Sequence, residues 1–512
     1  MHDVVSVWHW QTGVAILGLL GVYFYRSRIT SSHALPLPPG PSEPPTGHYP
    51  PRKIAQWIDE YGPVISFQDG KNVLVIVGRY QEAIDIMEKQ GSFLADRPRS
   101  VAGGDILGKG MRFVQIRSGE RLRKFRKSSH SHLQVKSAET YEPVQIARAR
   151  DIILDILHEP KMHQQHIKRY VSSVILNVVY GKTTPTLLND PYLLQLQKMI
   201  PRIQSAMVPG AYLVDKYPIL KYVPGYGRNL KEWSQEEYDM LFGQLNQVKT
   251  QMNMHIAPHS VAKDLLLHAE DNQLSDAEIA YLSGSLIGAG SDTTAVAIST
   301  VLMAAARFPH LQARVHEELE AVVDRETIPT FEDWSQLVQM QAFILEALRW
   351  RPVNPIGESI MHIQGHLADG IPGLPHRATK DIIWNGMCIP AGATVFGNHW
   401  SIGRDPSIYP DPEVFNPQRW IGEDGEIKEN PKLFTFGFGR RACPGLHVAN
   451  RTVYIAVALI LWSFTLAEDP GNPIDDTAFT PGVVSHQKPF GLIFKPRMDE
   501  VSLKNIFCST TA

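Results

Sequence analysis

Apolar and polar residues alternate in three regimes along the chain: a short apolar run near the N-terminus, a proline-rich stretch, and a long remainder with mostly helical spacing. From Leu446 to Phe464 the apolar positions follow a helical period. Ser275-Asp276-Ala277-Glu278 has the form of a capping box, and no proline follows until Pro309. One helix of roughly 33 residues, about 50 Å long, is predicted there. Val64 to Phe67 and Val73 to Val77 are short runs of β type.

The N-terminal run from Val4 to Tyr25 contains Gly13, Gly18 and Gly21, with Trp8, Trp10, Tyr23 and Tyr25 towards its ends. At 1.5 Å per residue, about 22 residues just cross a hydrocarbon core of ~30 Å, and aromatic residues suit the interfaces. Asp3 precedes the run, and Arg26 and Arg28 follow it, which leaves the rest of the chain on the cytosolic side. A cleaved signal peptide would need a basic residue before the run and a small-residue cleavage site after it; neither is present. The run is therefore read as a single-pass membrane anchor, residues 1–28. Residues 29–50, with Pro36, Pro38, Pro39, Gly40, Pro41, Pro44 and Pro45, form a stiff, extended hinge. No Ser/Gly-rich linker, repeat or charge block divides the chain beyond the hinge, so residues 51–500 are read as one domain and 501–512 as a tail.

Charge and cysteine usage narrow the setting. The 512 residues carry a net charge of −2, which argues against a nucleic-acid partner. Cys388, Cys443 and Cys508 are too few, and odd in number, for a disulfide framework, and they point to a reducing compartment.

Cys443 stands in a loop that carries chemistry: Phe436-Gly437-Phe438-Gly439-Arg440-Arg441-Ala442-Cys443-Pro444-Gly445. A thiolate on haem iron must approach a flat macrocycle closely, so residues without a Cβ belong beside it, here Gly437, Gly439 and Gly445. Haem propionates need a cation, and Arg441 is adjacent. The helix from Leu446 would set a positive helix end beside Cys443 and favour its thiolate. The plainer reading is a buried cysteine in a glycine-rich turn. Two further strings accompany the loop. Ala289-Gly290-Ser291-Asp292-Thr293-Thr294 lies mid-helix, where Gly, Ser and Thr are poor helix formers. Taken structurally, Gly288 and Gly290 would only permit close helix packing. Glu346-Ala347-Leu348-Arg349 puts an acid and a base on one helix face, a pair of little meaning alone.

Together these motifs, in this order, resemble the cytochrome P-450 family over nearly the whole chain, about Tyr61 to Arg497. The resemblance implies a mainly α fold with small β-sheets, the cytochrome P-450 fold, and haem b with its iron ligated by Cys443. It implies that the helix opens at the small residues beside the iron, with Thr293 and Asp292 relaying protons to dioxygen, and that Arg126, His376 and Arg441 bind propionates. It also implies that Glu346 and Arg349 are buried and hold the segment Phe415 to Trp420. The family usually has W-x-x-x-R ending at Arg126. Here Leu122 replaces the tryptophan, so one propionate donor is missing.

Such a protein is a monooxygenase that inserts one oxygen atom from O2 into a lipophilic small molecule. No G-x-G-x-x-G opens a βαβ unit, so a separate NADPH-dependent flavoprotein reductase is the expected partner, on the endoplasmic reticulum membrane. Part of the basic stretch Arg117 to Lys127 is a candidate contact for it. Ile106, Leu107, Met111, Phe113, Met207, Leu286, Val353, Ile356 and Val484 fall in segments that usually line the pocket. Val208 to Asp215 and Phe490 to Arg497 look most like fungal members of secondary metabolism, with a terpenoid substrate favoured and an aromatic or polyketide scaffold next. The alternatives are a non-oxidative haem-thiolate isomerase or dehydratase, and an inactive haem-binding product of a mis-spliced gene model. The last arises because relatives would run from Gly357 directly into Leu374-Pro375-His376-Arg377. Here Glu358 to Gly373 intervenes, flanked by codons that can spell splice sites; it is read as a retained intron, with a genuine surface-looping insertion as the alternative.

Overall fold

The computed structural model describes residues 35–42, 50–69, 72–183, 189–208, 210–355, 374–480 and 483–508. The apolar run from Val4 to Tyr25, Ile356 and the interval from Glu358 to Gly373 lie outside the described residues.

Helices build most of the molecule. Those that position the site are α1 (Glu120–Leu133), α2 (His163–Tyr180), α3 (Pro191–Met207), α4 (Arg228–Asn253), α5 (Asp276–Arg307), α6 (Val338–Trp350) and α7 (Leu446–Ser463). The capping box predicted for α5 is formed: Ser275 Oγ accepts from the Glu278 amide, and the Glu278 carboxylate accepts from the Ser275 amide. α5 is the axle of the fold, packing on α2, α4, α6 and α7. Its face of Ile298, Val301, Leu302 and Ala305 is wholly buried. By length and apolarity α5 and α7 could each cross a membrane, but 67% and 72% of their most apolar stretches are buried inside the protein, so both are core helices.

Among the described residues, three small sheets flank the helices. β1 (Val64–Asp69) and β2 (Asn72–Val77) form an antiparallel hairpin, matching the two β-type runs in the sequence. β6 (Thr394–Gly397) joins β2 in parallel and β3 (His376–Arg377) closes the order β1-β2-β6-β3. β4 (Ile382–Trp384) pairs with β5 (Met387–Ile389), and β7 (Phe464–Glu468) with β8 (Leu492–Pro496). The described part of the proline-rich stretch is docked on the sheets: Pro39 O accepts from the Ser66 amide at 3.0 Å and Pro36 O from the Cys388 amide at 2.8 Å.

The Glu346–Arg349 pair is the rivet that sequence resemblance implied. Both side chains are 0% exposed, and Arg349 donates to both Glu346 oxygens at 2.7 and 2.8 Å. The carboxylate also accepts from the Asn416 amide, Arg419 Nε and Trp420 Nε1 at 2.8, 3.2 and 2.9 Å. Arg349 spends its remaining donors on the carbonyls of Gly403 and Pro412, both at 2.8 Å. Two buried charges are tolerated because nearly every donor and lone pair has a partner.

Candidate active site

The cysteine loop is two 3₁₀ turns, Phe434–Phe436 and Gly439–Arg441, followed at once by α7. It closes on itself where the Cys443 amide donates to Phe436 O at 2.8 Å. Its three glycines serve different ends. Gly437 has φ +79°, a conformation that strains any other residue, and a Cβ there would meet nothing nearer than 4.0 Å. Gly439 is needed for close approach, since its Cβ would lie 2.8 Å from Met87 O. Gly445 has an ordinary φ of −91°, and its amide hydrogen-bonds towards the cysteine sulfur.

At Cys443 the Gly445 amide and the Arg126 guanidinium both favour the thiolate, while burial of the haem-free chain pushes the thiol upward and outweighs them. The charge that would keep the sulfur ionised is that of a bound metal ion.

Beside the loop the fold gathers three guanidiniums and one imidazole from distant segments. Arg441 donates to Ala95 O at 2.6 Å and to Ile116 O at 2.5 Å. Arg126, on α1, donates to Ala442 O at 3.2 Å. His376 Nδ1 bonds with Leu94 O at 2.7 Å. The fourth, Arg97, was not picked out in the sequence; it donates to the carbonyls of Leu374 and Pro375 at 2.6 and 2.7 Å. These groups feel one another. Burial, then Arg441, holds Arg97 down to about 9. Burial, then Arg126, brings Arg441 down to about 10. Burial, then Arg97, drives His376 down to about 3. The carboxylate acting on Arg97 and Arg441 is Asp96, which already accepts from Arg117, Arg377 and the Ser118 amide.

Arg97 Nε is buried and has no hydrogen-bond partner among the described residues. A buried cation excess with an orphaned donor calls for an anion. The two propionates of a haem over the cysteine loop fit that need. Arg126, His376 and Arg441 are thus brought together as the sequence suggested. Leu122 lies buried in the helical core at 6% exposure.

On α5, Thr293 Oγ donates back to Ala289 O at 2.8 Å, which leaves its lone pairs as the free acceptor sites. The helix does not open at the small residues: Asp276–Arg307 is α-helical throughout, so the gap is one of side chains. Gly290 exists for packing, since its Cβ would sit 3.1 Å from Ile175 on α2. Gly288 does not; its nearest neighbour would be Leu196 at 4.0 Å. Asp292 pairs with His486 Nε2 at 3.0 Å, a partner with no signal in the sequence. Among the pocket candidates, Phe113 is tied to α5 through its amide and Ser285 Oγ at 3.2 Å, next to Leu286. Val353 O accepts from the Ser485 amide at 3.0 Å, which brings Val484 to Val353. Ile106 and Leu107 lie in a separate cluster with Ala206, Val214 and Leu230.

A helical fold with a half-buried cysteine loop at its core helix, and guanidiniums gathered beside it, defines a haem-thiolate protein. The chain belongs to the cytochrome P-450 family, whose model matches residues 46–364 and 367–494. It is similar to cytochrome P-450 monooxygenase 64 of Postia placenta, 44% identical over 496 residues, covering 96% of this chain and 97% of the relative. A cytochrome P-450 monooxygenase of Armillaria gallica is 33% identical over 523 residues, 98% and 96% of the two chains. The monooxygenase claR of Ampulloclitocybe clavipes is 29% identical over 515 residues, 97% and 91% of the two chains. The protein is therefore a haem b monooxygenase of the fungal cytochrome P-450 kind, an oxidoreductase that incorporates oxygen.

Proposed function

We propose that this monooxygenase oxidises a lipophilic small molecule of fungal secondary metabolism, a terpenoid before an aromatic or polyketide scaffold, while anchored in the endoplasmic reticulum membrane and fed by an NADPH-dependent flavoprotein reductase. The observation that carries the site assignment is the orphaned cation cluster beside Cys443. In this reading Cys443 ligates the iron, and Arg97, Arg126, His376 and Arg441 hold the propionates. When bound, the thiolate-ligated haem supplies dioxygen activation strong enough to attack an unactivated C–H bond. The chain's own residues orient and supply. Thr293 offers oxygen lone pairs at the centre of α5, Asp292 carries a proton to that point, and Phe113, Leu286, Val353 and Val484 bind substrate by apolar area.

Membrane association is supported by a second apolar surface. Leu213, Tyr217, Ile219, Tyr222 and Val223 are 44–75% exposed within eleven residues. Lys216 and Lys221 lie over the Tyr217 and Tyr222 rings. Apolar tips flanked by lysines suit the headgroup boundary of a lipid surface. The exposed Arg123 and Lys127 on α1 suit an acidic reductase face. The interval from Glu358 to Gly373 remains proposed as a retained intron, which sequencing of the mature transcript decides.

The test of the site is Cys443→Ser. It should abolish the red-shifted Soret band of the ferrous carbon-monoxide complex, because a neutral hydroxyl cannot supply the thiolate's electron density. A mutant that keeps the band has another ligand.

A further inference from the structure

The acid of the central helix is held by a residue from the other end of the chain. His486 Nε2 meets Asp292 Oδ2 at 3.0 Å, with the two side chains 25% and 17% exposed. The contact is built into the packing. His486 is paired with Thr480: the Thr480 amide donates to His486 O at 2.7 Å and the His486 amide to Thr480 Oγ at 3.2 Å. Phe479 and Gln487 form a β-bridge next to this pair.

Both neighbours of His486 fix this segment further. The Ser485 amide donates to Val353 O at 3.0 Å. The buried Gln487 amide group donates to Val296 O at 3.2 Å and Thr300 Oγ at 2.5 Å. Asp292, Val296 and Thr300 are spaced by four, so they form one stripe along α5. The segment therefore grips α5 on a single line, with Gln487 taking the lower two points and His486 the upper one. An imidazole carried on so constrained a backbone has few other places to point.

Asp292 has no other side-chain partner among the hydrogen bonds of the described residues, whereas a mid-helix aspartate on its own samples several rotamers. We propose that His486 is the positioning residue of the oxygen-activation site: its Nε2–H fixes the Asp292 carboxylate in the orientation from which protons are delivered. This rests on the reading of Asp292 and Thr293 as the proton-delivering pair. Without timely proton delivery, reducing equivalents leave as peroxide, NADPH + H⁺ + O2 giving NADP⁺ + H2O2. With it, two NADPH and two protons reduce one O2 to two waters even when no organic substrate is present.

The experiment uses the full-length holoprotein with its flavoprotein reductase, NADPH and dioxygen, and compares His486→Leu, His486→Gln and Asp292→Asn. His486→Leu should raise peroxide formed per NADPH at least about twofold, as Asp292→Asn does, with the carbon-monoxide band intact. His486→Gln, whose amide can replace the Nε2–H donor, should restore the wild-type ratio. In haem-free protein, the unfolding-midpoint shifts of His486→Leu and Asp292→Asn should not add in the double variant, because both remove one contact.

A wild-type ratio in His486→Leu alongside a raised ratio in Asp292→Asn overturns the proposal and leaves the role of Asp292 standing. A wild-type ratio in Asp292→Asn overturns that role itself. Failure of His486→Gln to restore the ratio, or fully additive midpoint shifts, shows that donation to Asp292 is not what His486 contributes.

Discussion

Arg349 and Arg97 are both buried guanidiniums, and they differ in what surrounds them. Arg349 has its own carboxylate, Glu346, and three carbonyl acceptors. Arg97 has two carbonyls, an Nε with no partner among the described residues, a cationic neighbour in Arg441 and a carboxylate already engaged by others. Where the chain needs scaffolding, it balances charge internally. Where a ligand belongs, the described residues leave a positive charge that a bound anion would neutralise. The difference teaches that the cofactor's place can be read from what the protein fails to satisfy.

Breaking the balanced site should have the largest effect. Arg349→Ala strands the Glu346 carboxylate at zero exposure and should cost about 3–5 kcal/mol in chemical unfolding. Replacing both residues by leucine should recover part of that loss, because the one charge then left without a carboxylate, Arg419, keeps the carbonyls of Pro410, Asp411 and Val414. Equal instability of single and double variants would show that packing, not charge, makes the site.

The unbalanced site should respond in the opposite sense. Arg97→Leu should move the unfolding midpoint of the haem-free protein little, since the lost carbonyl bonds are offset by removal of a poorly compensated charge. Haem should nevertheless dissociate about ten- to a hundredfold more readily, the equivalent of a charge-assisted hydrogen bond of about 1.5–3 kcal/mol. Haem transfer to apomyoglobin measures it.

Acid provides a third contrast. His376 is held at about 3 in the folded chain, against about 6.5 unfolded, so below that value the unfolded state binds a proton the folded state refuses. Its contribution is fully present above about pH 6.5 and is lost as pH falls towards 3, by up to about 1.4 kcal/mol per pH unit. Urea midpoints of haem-free protein between pH 7 and 5 should fall less steeply in His376→Gln than in wild type. With haem bound, nearby propionates should flatten the wild-type slope.

The smallest effects distinguish the two glycines. Gly288→Ala should stabilise the haem-free protein by up to about 1 kcal/mol, because helix propensity is gained and a Cβ meets only ordinary contact. Gly290→Ala should gain less or lose, since Ile175 must give way. Identical thermal shifts would mean that Ile175 yields freely and that the α2–α5 contact is loose at this point.

What was legible in the sequence obeyed local rules. The capping box at Ser275, the run to α7 and the β1–β2 hairpin each depend on residues within a few positions of one another. The Glu346–Arg349 pair was legible through family resemblance; its 0% exposure and its hold on Trp420 come from a segment some 70 residues away. Arg97 and His486 were missed because each is a single unremarkable residue. Its meaning lies in partners 277 and 194 positions distant. The burial that pushes the Cys443 thiol up had no local sign for a related reason: the Gly445 amide is a neighbour in sequence, whereas the burial comes from the whole fold.

The β2–β6 pairing has a consequence for synthesis. β2 finds its parallel partner only about 320 residues later in the chain, where Val77 registers with Gly397. At roughly 5–20 residues per second, the ribosome delivers that partner about 15–65 s after β2 has emerged. Throughout that interval one edge of an apolar hairpin, Leu74 to Val77, stands uncovered, and such edges recruit other strands. The nascent chain therefore has a vulnerable period set by topology, and a chaperone bound to that hairpin early in translation would act where the need is greatest.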